Sequence, residues 1–253
     1  MLGDESASGG MLSYASGCFI GFLLLKTFRR IARLDVKSRR PFGFVLCFGG
    51  FEFGNIIPTR VIMDNLIAAG KIPPTLVVLV DNVDAKSEQG GYASTIQFLA
   101  DELLPQLRKQ YNLTAEPDKA VIAGTSRRGL VAAIVGFRRP EIFGGVLSMS
   151  GAFFWRPGKD AEYEWLAAQF AANPTRRPKL YLTVGLLETV VTPGNAGHYM
   201  LATNRHLRNV LQAKGYRFKM TEFYGGHEDS NWQGGFADGL IYLLGRKDYR
   251  STQ

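Results

Sequence analysis

The sequence predicts an α/β fold with a mostly parallel central sheet and helices on both of its faces. Six short apolar runs alternate along the chain with segments of helical period. The runs are almost continuously apolar, which is typical of strands buried on both faces of a parallel sheet. Alternation repeated this often favours right-handed crossovers within one open sheet. Because ligands of such sheets bind at the carboxyl ends of the strands, we expect the functional residues there.

The predicted strands are short and are bounded by Gly, Pro, Asp or Asn. They comprise residues 44–48, 75–80, 120–124, 145–150, 179–184 and 218–224. Cys47 lies inside the first strand, where we expect a small buried side chain.

The predicted helices between the strands each carry one apolar stripe. The stripes are formed by Ile96, Leu99, Leu103, Leu104, Leu107 and Tyr111, by Leu130, Ala133, Ile134 and Phe137, and by Leu207, Val210 and Leu211. Gly215 follows the last stripe and predicts the C-terminal end of that helix.

The length and composition predict one domain. With 253 residues, of which 46% are hydrophobic, the chain can bury a substantial core, and it contains no long polar linker. We therefore expect a single domain over residues 18–253. Residues 1–17 are rich in Gly and Ser and are predicted to be a mobile N-terminal segment.

The chain is basic, with a formal net charge of +8. Such a net field attracts anionic partners or substrates, although it specifies no chemistry by itself. The arginines occur in short pairs without a recognisable nucleic-acid-binding motif, so we interpret most of them as solvated surface. The charge therefore favours an anionic small molecule, and we expect no nucleic-acid partner.

Neither the cysteines nor the N-terminus predicts a metal site or a membrane span. The two cysteines, Cys18 and Cys47, form no disulfide framework and no metal-ligand pattern. The run "GCFIGFLLL" is shorter than the ~20 apolar residues of a membrane helix, and the acidic "MLGDES" before it argues against a secretory signal. We expect a cytoplasmic protein without firm membrane association. The basic run 26–33 leaves attachment to anionic lipid as an alternative.

Ser126 lies in the segment "AVIAGTSRRGL", between a predicted strand and a predicted helix. A G-x-S turn in this context holds the serine hydroxyl above the sheet and directs the following backbone N–H towards a developing oxyanion. The alternative is that Ser126 simply caps a helix that begins at Arg127, because serine is a preferred N-cap residue.

An acid and a histidine follow two later strands. Glu188 lies in "VGLLET" and His227 in "GGHEDSNW", so the order along the chain is serine, carboxylate, histidine, as in α/β-hydrolases. In such a triad the histidine accepts the serine proton and the carboxylate orients the imidazole. Glu188 is alternatively a solvated loop acid, with Glu228 or Asp229 in its place.

The other two histidines are weaker candidates. His198 and His206 lie in or near the predicted helix "HYMLATNRHLRNVL", where we expect them to be exposed or partly packed. His227 instead follows two glycines in a loop, which leaves it as the candidate general base.

The chain resembles the esterase D branch of the α/β-hydrolases, and enterochelin esterase-like proteins in particular. The resemblance covers roughly residues 44–244 and depends on an ordered series of motifs: "VIMDNLIAAGKIPPTLVVLVDN", "FLADELLPQL", "AVIAGTSRRGL", "RRPEIFGGVLSMSGAFFW", "VGLLET" and "GGHEDSNW". It implies an α/β-hydrolase fold and cofactor-free ester hydrolysis by a triad of Ser126, Glu188 and His227.

The resemblance also implies roles for residues around the triad. Phe51 and Arg127 are the positions that would supply backbone N–H groups to an oxyanion hole. Trp155 and Trp232 match aromatic positions of the family and are candidate substrate contacts, with core or wall packing as the alternative. Known relatives act on siderophore lactones, carbohydrate acyl esters and simple esters, and some transfer acyl groups.

Three departures from the family pattern surround the candidate site. Gly49 replaces an acid after the first central strand, "SEQGGYAST" keeps Tyr92 but lacks an Arg and a Glu, and Arg128 replaces the first glycine after the serine turn. We expect Arg128 either to reach solvent at the pocket rim, where it meets an anionic substrate, or to press on the turn. In the second case Arg128→Gly would raise kcat on a neutral ester.

These observations predict a serine esterase acting on a small or medium ester. The departures leave a catalytically weakened binding protein of the same fold as an alternative. An acyltransferase is a further alternative, because it begins with the same acyl-serine intermediate.

Overall fold

The computed structural model describes residues 41–81, 91–173, 178–189 and 199–245, together with the backbone of two strands near the N-terminus. The strands of the described chain are β1 Ala7–Ser13, β2 Phe19–Leu25, β3 Gly43–Phe48, β4 Thr75–Val80, β5 Ala120–Thr125, β6 Gly145–Met149, β7 Lys179–Gly185 and β8 Phe218–Phe223. They form one sheet in the order β1-β2-β4-β3-β5-β6-β7-β8. Each of the six predicted strands is present, to within one residue at either end.

The six strands from β4 to β8 in the sheet order run parallel to their neighbours. β2 is antiparallel both to β1 and to β4. Every residue of β3, β4, β5 and β6 is buried, as we expected for strands covered on both faces. β8 is less buried because it lies at the edge of the sheet. The predicted α/β fold with a mostly parallel central sheet is confirmed.

The N-terminal hairpin differs from the sequence-based expectation. The backbone of Ala7–Ser13 lies within the segment predicted to be mobile, yet it pairs with β2 along its whole length. Backbone pairing requires no particular side chains, so the Gly- and Ser-rich composition did not reveal it. β2 also contains most of the apolar run weighed as a targeting segment. The basic run 26–33 lies outside the described residues, and the single domain over 18–253 remains a prediction.

The helices cover the sheet on both faces. They are α1 Thr59–Ala68, α2 Ala93–Gln97, α3 Leu104–Tyr111, α4 Ser126–Arg138, α5 Trp165–Ala172, α6 Met200–Ala213 and α7 Asp229–Leu244, with π-helical turns at Glu52–Ile56 and Phe98–Leu103. Alternate residues of β3 enter different cores. Leu46 belongs to the core that also contains side chains of α3, α4 and α6, and Cys47 to the core that contains side chains of α1 and α7.

The predicted helical stripes lie in α2 to α4 and in α6, and they are largely buried. Gly215, at φ 69°, ends α6 as predicted, and the N–H of Tyr216 donates to the carbonyl of Leu211 at 2.9 Å. Among the described residues, no helix combines the length and the apolar character needed to cross a membrane.

Candidate active site

Ser126 lies on a sharp turn where β5 ends and α4 begins. Its φ is 53°, a left-handed conformation that non-glycine residues rarely adopt. A Cβ added at Gly124 would lie 2.4 Å from the carbonyl oxygen of Arg128, and one added at Gly129 would lie 2.8 Å from Oγ of Ser148. The two glycines therefore permit the close strand-to-helix approach that raises the serine at the carboxyl end of the sheet.

The alternative reading of Ser126 as a simple helix cap does not describe this turn. The N-cap position of α4 is Thr125, and no side chain caps the helix there. The Ser126 hydroxyl instead lies 2.9 Å from Nε2 of His227.

His227 joins the serine to a carboxylate. Its Nδ1 lies 2.6 Å from Oε2 of Glu188, on the opposite side of the ring from Ser126. With the proton on Nδ1, the imidazole donates to Glu188 and accepts from the serine hydroxyl at Nε2. The structure thus brings together the three residues predicted as a triad, with the connectivity that general-base activation of a serine requires.

Glu188, rather than an acid of the last loop, is the histidine's partner. The Glu188 side chain is 1% exposed, whereas the His227 side chain is 38% exposed. Glu228 and Asp229 lie at the start of α7, and Asp229 is its first residue. The alternative that Glu188 is a solvated loop acid therefore does not hold. Of the other histidines, His206 pairs with Glu164, and His198 lies outside the described residues.

A buried network holds the other carboxylate oxygen of Glu188. Oε1 lies 2.7 Å from the backbone N of Gly185 and 2.6 Å from Oγ of Ser150, and both groups donate to it. The indole Nε1–H of Trp232 donates to Oγ of Ser150 at 2.9 Å. Since the indole N–H can only donate, the Ser150 proton is directed to Glu188.

Ser150 is the residue of this network that the sequence analysis missed. It directly follows β6, is fully buried and has φ 49°, and its N–H donates to the carbonyl of Thr183 at 2.7 Å. Its position at the carboxyl end of a strand was a usable signal, because Ser126, Glu188 and His227 follow their strands in the same way. Its contact with Glu188 depends on the neighbouring order of β6 and β7, which no local pattern shows.

The two tryptophans named as candidate substrate contacts are packing residues. Trp155 is 8% exposed, and its ring lies 5.5 Å from that of Tyr92 and 5.9 Å from that of Trp165. Trp232 meets the His227 ring edge-on, at a centroid distance of 5.1 Å and an interplanar angle of 86°. The packing alternative describes both, and Trp232 supports the histidine as well as Ser150.

The two amide groups predicted to form an oxyanion hole lie at the N-terminal ends of two helical segments, α4 for Arg127 and the π-helical turn Glu52–Ile56 for Phe51. The N–H of Arg127 belongs to the first turn of α4, where amides point beyond the helix N-terminus. The N–H of Phe51 donates to Oδ1 of Asp81 at 2.9 Å, so it would have to leave that carboxylate to bind an oxyanion. The oxyanion role of Phe51 and Arg127 remains a prediction.

Arg128 reaches solvent in part, as in the first of the two predicted arrangements, and its contact with a substrate remains a prediction. Its guanidinium forms an ion pair with Glu52, while its side chain remains 41% exposed. The aliphatic part of the side chain lies over Gly49, where an added Cβ would be 2.8 Å from Cδ of Arg128. Gly49 and Arg128, two departures from the family pattern, therefore occupy one shared space.

Neither a metal-ligand group nor Cys47 competes with this arrangement in the described part of the chain. Its residues contain no group of three or more His, Cys, Asp or Glu side chains placed to hold a metal ion. Cys47 is buried, and burial raises the pKa of its thiol well above the usual range. A buried thiol of this kind stays protonated and unreactive at neutral pH.

Comparison with known proteins identifies a family for the chain. Residues 33–243 match the family described as "Putative esterase". The chain belongs to this esterase family. The iron(III) enterobactin esterase of Dickeya dadantii is 28% identical over 227 residues, which cover 83% of this chain and 49% of that protein. The endo-1,4-beta-xylanase/feruloyl esterase of Xylanibacter ruminicola is 39% identical over 167 residues, which cover 60% of this chain and 23% of that protein.

Solved structures share the fold of this esterase-family chain. The enterobactin esterase of Shigella flexneri, solved in the presence of enterobactin, has a TM-score of 0.78 at 24% identity, over 94% of this chain and 58% of that one. A ferulic acid esterase has a TM-score of 0.74 at 15% identity, over 94% and 96% of the two chains. The matches support an enterochelin esterase-like branch of the α/β-hydrolases for this chain. The chain spans about half the length of the curated enterobactin esterases that it matches.

Proposed function

We propose that this protein is a serine esterase that hydrolyses a small or medium carboxylic ester through an acyl-enzyme. The observation that supports it best is the continuous hydrogen-bonded chain from Ser126 through His227 to the buried Glu188. The chemistry needs no cofactor, because the nucleophile, the base and the orienting acid are all side chains.

In the proposed reaction, Oγ of Ser126 attacks the ester carbonyl while Nε2 of His227 takes the hydroxyl proton. The resulting imidazolium is stabilised by the Glu188 carboxylate and returns the proton to the departing alcohol. Water then attacks the acyl-serine with the same histidine as base. The N–H groups of Arg127 and Phe51 are the proposed donors to the tetrahedral oxyanion, the second after its release from Asp81.

The relatives and the surface near the site support a proposal for the substrate class. Two relatives are named enterobactin esterase and feruloyl esterase, and a solved relative was crystallised in the presence of 2,3-di-hydroxy-N-benzoyl-serine, which carries an aromatic ring. Phe51, Leu187 and Tyr224 are exposed large side chains close in sequence to site residues. The N–H of Leu187 donates to the carbonyl of Gly225 at 3.0 Å, which joins the acid loop to the histidine loop. We propose an ester whose acyl part carries an aromatic ring that contacts one or more of these three exposed side chains.

Two of the three departures from the family pattern, Gly49 and Arg128, do not favour a weakened binding protein, whereas the third, in "SEQGGYAST", begins outside the described residues. Gly49 and Arg128 accommodate each other, and the Ser126 turn keeps its left-handed serine and its close glycines. Acyl transfer would begin with the same acyl-serine, and product analysis with added alcohol acceptors separates it from hydrolysis.

The test uses p-nitrophenyl esters and a fluorophosphonate probe with the full chain and with Ser126→Ala. We expect turnover and labelling by the parent, and a loss of about 10⁶ in kcat for the variant, the size seen when a triad serine is removed. Thermal unfolding of the variant should stay close to that of the parent. A folded parent that neither turns over nor takes the label would contradict the proposal, as would comparable turnover by Ser126→Ala.

A further inference from the structure

Residues 49–53, here called the 49–53 turn, carry the Phe51 amide beside the Ser126 turn. Two backbone hydrogen bonds stabilise this turn. The N–H of Gly49 donates to the carbonyl of Val80 at 3.0 Å, and the N–H of Phe53 donates to the carbonyl of Gly49 at 3.0 Å. The Asp81 carboxylate adds a contact to the Phe51 N–H. All of these contacts connect the turn to itself or to the end of β4.

Arg128 contacts the turn from α4, the helix that begins at Ser126. It lies two residues after Ser126 in α4, and its guanidinium pairs with Glu52, the residue after Phe51. The pair therefore joins the segment that carries the nucleophile to the segment that carries the Phe51 amide.

Gly49 is what permits this contact. At φ 96° it has no Cβ, and an added one would lie 2.8 Å from Cδ and 3.2 Å from Nε of Arg128. The arginine side chain thus reaches Glu52 through space that any other residue at position 49 would fill.

Glu52 depends on this arginine. Its side chain is 19% exposed, and its Oε2 is buried without a hydrogen bond from the described residues. Without Arg128, a largely buried carboxylate would lose its cation, which is costly unless the carboxylate turns towards water. Because Glu52 directly follows Phe51, that movement would displace the Phe51 amide.

We propose that Arg128 is a positioning residue whose ion pair with Glu52, formed across Gly49, holds the 49–53 turn at the distance from Ser126 that catalysis needs. This inference rests on the proposed esterase function. It reverses the expectation that removing the arginine would relieve the site, since the side chain connects the two segments and does not press on the serine.

The test compares Arg128→Met, Glu52→Gln and the double variant on a neutral p-nitrophenyl ester. We expect each single change to lower kcat roughly tenfold with little change in KM, because a small displacement of a donor acts on the transition state. The double variant should be no slower than either single variant, and Arg128→Lys should recover part of the rate. Arg139→Met is the matched control, because it breaks the Arg139 to Glu141 pair at the other end of α4 and should leave kcat unchanged.

Salt provides a second measurement on the same variants. Between low salt and about 1 M NaCl, kcat of the parent and of Arg139→Met should fall by only a small part of the difference from Arg128→Met, because a hydrogen-bonded, partly buried pair is screened less than exposed charges. The kcat of Arg128→Met should be nearly independent of salt.

Two results would overturn the inference. They are an unchanged or raised kcat in folded Arg128→Met and independent effects of the two single changes. If Arg128→Met fails to fold, the same measurements on Glu52→Gln and Arg128→Lys test the inference instead. An active, labelled parent with unaffected variants rejects this inference alone, whereas a parent without turnover or label rejects the esterase proposal and this inference with it.

Discussion

Glu188 shows how single hydrogen bonds define the candidate site at the scale of residues. The carboxylate is almost fully buried and accepts from the N–H of Gly185, the hydroxyl of Ser150 and Nδ1–H of His227. Three donors fix both of its oxygens, so the carboxylate can fix the imidazole in turn. The remaining ring nitrogen then faces Ser126, where the proton must be taken.

Glu188→Gln should lower kcat by about 10⁴, less than the roughly 10⁶ expected for His227→Ala. The glutamine oxygen would face the two donors from Gly185 and Ser150, which leaves its NH₂ group towards His227. The imidazole would then accept at Nδ1 and carry its proton on Nε2, where it cannot act as a base. Asp229→Asn is the matched control and should retain kcat. A silent Glu188→Gln beside a severe Asp229→Asn would assign the acid to the last loop.

Ser150→Ala should lower kcat by at least tenfold and reduce the free energy of unfolding by about 1–3 kcal/mol. The change leaves the Trp232 N–H and Oε1 of Glu188 each one partner short in a buried place. Trp232→Phe should be milder in kcat, since the aromatic ring can still pack on His227 and Ser150 still donates to Glu188. Denaturant unfolding measures the change in stability of both variants, and steady-state kinetics measure the change in kcat. Equal losses of kcat in the two variants would contradict the proposed order of donors, from Trp232 to Ser150 and from Ser150 to Glu188.

Pairs of elements decide how the site residues are presented. β5 and α4 approach so closely that a Cβ at Gly124 would overlap the backbone of Arg128, and this crowding is what places Ser126 in its left-handed conformation. β8, which precedes His227, is an edge strand held on one side by β7. Glu222 of β8 adds a lateral contact, because both of its oxygens accept from Arg205 of α6, at 2.8 and 2.7 Å.

Glu222→Gln should lower the thermal midpoint at neutral pH by roughly 1–3 °C, because the exposed pair contributes little. The hydrogen bonds from Arg205 lower the pKa of the Glu222 carboxyl in the folded protein. A lowered folded-state pKa means that this stabilisation is present above the unfolded pKa, about 4.3, and is lost as the pH falls through the folded pKa. Unfolding scans of parent and variant from pH 7 to pH 3 should therefore converge at the acid end.

The control for that series is Glu116→Gln, which breaks the more exposed pair with Lys119. We expect it to change the midpoint less than Glu222→Gln does at pH 7. A difference between parent and Glu222→Gln that persists undiminished at pH 3 would show that the contribution is not electrostatic.

The sheet and the summed charge act at the scale of the whole molecule. Strands β5, β6, β7 and β8 are neighbours in one parallel array, so the residues that follow them meet at one edge although they are far apart in the chain. Ser126, Ser150, Glu188 and His227 all follow these strands. The net charge of +8 gives the chain as a whole a field that favours anionic ligands.

The ratio of kcat/KM for an anionic ester to that for a neutral ester of the same acyl group should fall as NaCl is added. The positive field steers the anionic ester only while it is unscreened, and at about 0.15 M salt screening acts beyond about 8 Å. Taking the ratio cancels any effect of salt on the catalytic step itself. A ratio that stays constant from low to high salt would show that the net charge does not steer the substrate.

Local patterns predicted much of this protein, because they depend on neighbours in the chain. The buried strands, the helical stripes and the helix end at Gly215 follow from periodicity and from glycine geometry, and the structure has them within a residue or two. The β1–β2 hairpin was not predicted, since its Gly- and Ser-rich first strand is held by backbone pairing that leaves no side-chain pattern. The helices α1, α5 and α7 were likewise left unassigned.

The sequence by itself determined the strand-turn-helix setting of Ser126 and the order in which serine, acid and histidine follow their strands. The tertiary structure alone decided that Ser150 and Trp232 support Glu188, that the Phe51 N–H lies on Asp81, and that Arg128 crosses Gly49 to reach Glu52. The reason is physical. These contacts join residues from 30 to 82 positions apart, and their existence depends on which strands are neighbours and on how much space one missing Cβ leaves.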